Sequence, residues 1–165
     1  MNKVILSSMV MGLLLGGAVA QVEAQEKKVA FSLNLGIQTD LSRKGSFESA
    51  FFSLDVRVGI GVGKSFEISP EVMAAVDDNL KFDAVWLYPG LMLNFKAGGF
   101  FVGAGAVLPI VIWDGESESG NLAPKVNIGY SAKHLTLTAY IFTWTEAGMD
   151  FFEFNSIGAT IGYRF

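Results

Sequence analysis

Few side chains in this sequence can do covalent or metal chemistry. There is one histidine, His134, and no cysteine. A nucleophilic triad needs a histidine beside a serine and a carboxylate, whereas His134 stands between Lys133 and Leu135 in what reads as a tight, solvated turn. A zinc site needs several histidine, cysteine or carboxylate ligands, so no metal centre is expected. Asp114, Glu116 and Glu118 offer oxygens that suit Ca²⁺, but the run lacks the full EF-hand pattern and reads as solvated loop charge. Gly59, Gly61 and Gly63 are followed by no helix, as a phosphate-cradling loop would require. The net charge of -4 leaves no nucleic-acid footprint. The chain is therefore expected to be no enzyme and to carry no cofactor. Two non-covalent groups remain. One is charged: Asp55, Arg57, Glu67, Glu71, Lys125 and Arg164. The other is aromatic: Trp86, Tyr88, Trp113, Tyr140, Phe142 and Trp144.

The elements that must hold these groups are strands. The 165 residues suffice for one ordinary domain. Hydrophobic residues make up 51% and charged residues only 17%, against about 25% charged in a soluble domain. That composition excludes disorder, which is polar and charged. The first residues have the layout of a secretory signal peptide. Met1-Asn2-Lys3 is a positive start, Val4 to Gly17 an apolar run, and Ala20 and Ala24 end two small-residue cleavage sites. Residues 1–24 are assigned to that peptide and 25–165 to the folded domain. No Cys follows to carry a lipid anchor. Beyond the leader no apolar run reaches the roughly 20 residues of a spanning helix.

Instead the apolar residues alternate. Val29, Phe31, Leu33, Leu35 and Ile37 face one way, and Ala30, Ser32, Asn34, Gly36 and Gln38 the other. This is the period of a β-strand. The pattern recurs over 52–62, 66–76, 85–95, 102–112, 124–130, 135–142 and 156–165, giving eight strands. Tight connections alternate with longer, mostly acidic ones at 40–49, 77–81, 114–121 and 145–153.

One face of every strand is free of charge. The interior of an eight-stranded barrel is only just wide enough for side chains to fill, and it cannot hold that many large apolar groups. The apolar face therefore meets lipid, where every backbone polar group must pair and the sheet must close. The fold class is all-β, an eight-stranded antiparallel up-and-down transmembrane β-barrel. The charged group then lines one half of the lumen, with Asn34 and Asn127 near it. Opposite charges held there should pair, because an isolated buried charge is very costly, and the expected result is a plugging salt-bridge network. The aromatic group lies in the other half, either as packed filling or as a pocket for a small hydrophobic molecule. Pro70, Pro89, Pro109 and Pro124 fall inside strands, where each removes a ladder bond, so bulges are expected there.

The last strand ends in Ile161-Gly162-Tyr163-Arg164-Phe165, a terminal aromatic with aromatic and apolar residues two and four positions before it. Together with the alternating strands, this resembles the small eight-stranded outer-membrane barrels of Gram-negative bacteria, the group around outer membrane proteins A, X and W. The resemblance implies that Ile161, Tyr163 and Phe165 form a signal for the barrel assembly machinery. It implies a bacterial outer-membrane location, contact with lipid and lipopolysaccharide, and a monomer. The short turns carrying Lys64, Lys96 and Lys133 would face the periplasm. The acidic loops would face outward, where divalent cations would bridge them to anionic lipopolysaccharide. The function expected is a non-catalytic scaffold or surface-contact protein with a plugged lumen. The alternative is a narrow channel or a binding site for small hydrophobic molecules.

Overall fold

A computed structural model describes residues 29–41, 47–77, 83–144 and 154–165. The expected leader and the loop residues Arg43, Lys44, Asp78, Glu146, Asp150 and Glu153 lie outside these. Ten strands are described: β1 (Val29–Leu41), β2 (Phe47–Val62), β3 (Phe66–Asp77), β4 (Ala84–Ala97), β5 (Phe100–Val107), β6 (Ile110–Trp113), β7 (Glu116–Ser119), β8 (Ala123–Ser131), β9 (Leu135–Trp144) and β10 (Phe154–Arg164). They occupy eight wall positions, because β5 and β6 follow one another along β4, with β8 and β7 as their outer partners. β1 pairs with both β2 and β10, and β3 with both β2 and β4, so the wall closes as an eight-stranded antiparallel barrel.

The ladder fixes the width of that barrel. Val29 pairs with Ile60, and the path continues through Ile68, Leu93, Ala104, Val126, Ile141 and Ile157 to Thr39. One circuit thus returns to β1 ten residues further on, 39 less 29. With about 3.3 Å per residue and about 4.8 Å between strands, this stagger sets a tilt of about 40° and a backbone radius of about 8 Å. Such a bore is only just wide enough for side chains to fill.

Alternation sorts the two faces. Leu54 is 42% exposed on the outside while its neighbour Asp55 is 1% exposed on the inside. Leu35, Ile37, Leu91, Val102, Ile128 and Ile161 share the outer wall, whereas Asn34, Glu71, Asn94, Lys125 and Thr138 are buried within. A soluble domain would reverse these assignments, so the exposed apolar wall is the lipid-facing surface that the sequence predicts.

Two expectations change. At Pro70, Pro89 and Pro124 the register runs through without a shift. Pro70 interrupts only the β2–β3 ladder, which skips Val58 and Gly59 and resumes unshifted at Ile60. A one-residue slip would turn every later side chain to the wrong face, whereas a lost hydrogen bond costs about 1 kcal/mol. The chain therefore keeps register. Only Pro109 separates two strands, and the irregularity falls opposite it. From Val107 to Ile110 is three steps, while the facing Ala123 to Ser119 is four. The second change concerns 114–121, expected as a loop. Glu116–Ser119 is a strand, joined to β6 by Asp114 (φ 47°) and Gly115 (φ 77°). Positive φ at both central residues is the tight hairpin turn that suits twisted strands.

Candidate functional site in the lumen

The polar residues of the inner face meet at three heights. At the end with the short turns, Glu67 of β3 holds Lys96 of β4 at 2.8 Å and Arg164 of β10 at 3.3 Å, both through Oε2. Ser69 donates to Glu67 Oε1 at 3.1 Å, and Asn94 Nδ2 donates to Ser69 Oγ at 3.0 Å. Arg164 also donates to Ser131 Oγ at 2.8 Å. At mid-height, Lys125 Nζ meets Glu71 Oε1 at 2.6 Å, Arg57 Nε meets Glu71 Oε2 at 3.2 Å, and Arg57 Nη2 meets Asp55 Oδ2 at 2.9 Å. Asn34 Nδ2 donates to the same Asp55 oxygen at 3.2 Å. Towards the loop end, Gln38 donates to Tyr88 Oη at 3.3 Å and accepts from Tyr140 Oη at 3.2 Å.

Several of these contacts cross the bore rather than run along its wall. Lys125 on β8 and Glu71 on β3 stand three wall positions apart out of eight, as do Arg164 and Glu67, and Gln38 and Tyr88. The mid-height group balances: Arg57 and Lys125 against Asp55 and Glu71. That balance matters because the effective cost of burying one unpaired ion is several kcal/mol. Lys125 gains further from the Tyr140 ring, whose centroid is 4.4 Å from Nζ, a favourable cation–π placement.

All six residues of the charged group thus lie on the inner face, in two tiers rather than one. Lys96 is an addition. Sequence reasoning placed it in a short turn, yet it continues the inward parity of Asn94 and binds Glu67. Gln38 is another missed residue; its signal was a lone amide opposite two tyrosines of the aromatic group.

Of the aromatic group, Tyr88, Tyr140 and Phe142 pack with Phe51, Met73, Val107 and Ala123, and Trp86 leans on this cluster. The Tyr88 and Phe142 rings, on β4 and β9, lie 5.0 Å apart across the bore, and Phe51 meets Trp86 edge-on at 4.9 Å. Trp113 stands apart from the cluster, half-buried where β6 turns into β7. The side chain of Trp144 lies outside the described residues. A small recess, about 20 Å³, opens at the opposite, short-turn end among Ser32, Arg57, Lys96, Phe101, Thr136 and Arg164.

Ile161, Tyr163 and Phe165 project from the outer wall. Phe165 packs on Phe31 and Tyr163, and Tyr163 stacks on His134 at 5.3 Å. His134 is exposed, with Nδ1 3.3 Å from the Arg164 carbonyl. Among the described residues no three histidine, cysteine or carboxylate side chains cluster as metal ligands.

Neither a protein-family profile nor a characterised relative matches the sequence. Solved structures do match in shape. Neisserial surface protein A superposes with a TM-score of 0.57 at 13% identity, over 82% of this chain and 95% of that one. A de novo designed transmembrane β-barrel gives 0.52 at 9% identity, over 87% and 100%. The outer membrane protein OprG from Pseudomonas aeruginosa gives 0.51 at 13% identity, over 84% and 97%. Closed wall, apolar exterior and these likenesses agree: the chain has the fold of the small eight-stranded outer-membrane β-barrels.

Proposed function

We propose that this protein resides in the bacterial outer membrane as a non-catalytic barrel whose lumen does not conduct, and that it acts through its surface. The reading rests on one observation above all: Lys125 reaches across the bore to Glu71, which also holds Arg57. An ion passing this level would have to displace paired, buried charges in a bore of about 8 Å backbone radius. The Tyr88–Phe142 contact lies in series with it. The short-turn end then faces the periplasm, and Ile161, Tyr163 and Phe165 serve the assembly machinery. The apolar wall meets lipid and lipopolysaccharide as a monomer. The exposed Asp114, Glu116 and Glu118 are the surface offered outward, with divalent cations bridging them to lipopolysaccharide. Planar-bilayer recording of the refolded barrel tests the reading. A silent bilayer is expected, and steady open channels would overturn it in favour of the narrow-channel alternative.

A further inference from the structure

The charges at the short-turn end of the inner face do not cancel. Below the loop-end Asp40, which Ser156 holds, Arg57, Lys96, Lys125 and Arg164 face Asp55, Glu67 and Glu71, four cations against three anions. The mid-height group is balanced, so the excess sits at the short-turn end, where Lys96 and Arg164 share one carboxylate oxygen of Glu67. That sharing leaves donors over. A lysine ammonium has three and a guanidinium five, yet Lys96 spends one on Glu67, and Arg164 one each on Glu67 and Ser131. Both side chains are about a quarter exposed, 25% and 23%, and both line the recess. Glu67 is the sole acidic side chain at this end among the described residues, while the flanking turns add the exposed Lys64 and Lys133.

We propose that this recess is a binding site for a phosphate-class oxyanion, held by Lys96 and Arg164. One monoanion neutralises the excess charge. Arg suits it because its planar fork matches phosphate oxygens two at a time, and the hydroxyls of Ser131 and Thr136 border the same recess. The space admits about one water-sized group, so the anion enters by one or two oxygens and its remainder stays outside. That geometry fits free phosphate and the headgroup of a phospholipid in the adjoining leaflet alike.

The test uses the folded barrel in a sugar-headgroup detergent, free of phosphate, at constant ionic strength. Inorganic phosphate is titrated in one arm and a short-chain phosphatidic acid in the other, with backbone amide shifts as the readout. Saturable shifts confined to the neighbourhood of Ser32, Lys96, Ser131 and Arg164 are expected. They should vanish in Lys96→Gln and Arg164→Gln and persist in Lys64→Gln. Saturation by inorganic phosphate assigns the site to a free anion, and saturation by the lipid alone assigns it to a headgroup. Glu67→Gln removes the competing carboxylate and should tighten binding several-fold. If Arg164→Gln fails to fold, as its amide spectrum would reveal, Lys96→Gln decides. The proposal is overturned by an absence of saturable shifts in both arms, by equal loss in Lys64→Gln, or by unchanged or weaker binding in folded Glu67→Gln. Conductance does not enter this test, so it stands or falls separately from the closed-lumen reading.

Discussion

The two halves of the lumen are filled by different physics. Towards the short turns the bore is spanned by charge: Arg164 to Glu67, then Lys125 and Arg57 to Glu71. Towards the loops it is spanned by rings, with Phe142, Tyr88 and Tyr140 packed around Met73 and tied by the single amide of Gln38. The widest spans are alike, three wall positions for Arg164–Glu67 and Lys125–Glu71 and three for Tyr88–Phe142, yet the tolerances differ. A charge needs a particular partner, because its removal leaves the other buried and alone. A ring needs only the right volume and a partner for its hydroxyl. The first half specifies which residues meet; the second specifies how much space they fill.

The largest effect should come from Glu71→Ala, which strands Lys125 and leaves Arg57 with Asp55 alone. Breaking a buried pair costs about 3–5 kcal/mol, to be read from urea unfolding of the barrel in vesicles. Combining Glu71→Leu with Lys125→Met should recover much of that loss. A single-variant cost below about 1 kcal/mol would erase the distinction between the halves. Next comes Leu54→Arg on the outer wall, beside Asp55 but facing lipid. It should cost about 2–4 kcal/mol if near the midplane, and full tolerance would overturn the assignment of faces on which the comparison rests. The smallest effect belongs to the ring-filled half. Met73→Leu, fully buried in the cluster, should cost less than about 1.5 kcal/mol, since volume-conserving swaps are tolerated. A loss there as large as that of Glu71→Ala would show that the rings demand identity too.

Much of this was legible before the structure. Alternation alone sorts Leu54 from Asp55 and Val126 from Lys125, because a strand has only two faces and lipid accepts only one kind. The partners were not legible. Glu71 and Lys125 are 54 residues apart in sequence, and they meet because of a ten-residue stagger that belongs to the closed ladder and to no single strand. Lys96 was misread for a local reason: a lysine before Ala97-Gly98-Gly99 looks like turn chemistry, although strand parity carries it one step further inward. The hairpin at Glu116–Ser119 was hidden by its acidity, which resembles a loop when read without its partner β6.

One feature of the wall constrains how this chain can change. Several wide inward residues lie across the ladder from a glycine: Asn34 from Gly162, Met92 from Gly105, Phe101 from Gly129, Tyr140 from Gly158, and both Asn94 and Asn127 from Gly103. A methyl group added at any of these glycines would run into the facing side chain. The interior is therefore inherited in couples. A glycine here can grow only if its opposite number shrinks in the same lineage, so sites distant in sequence should drift together. The same rule tells an engineer where to re-cut the bore: exchange the members of a couple, large for small, and leave the outer wall alone.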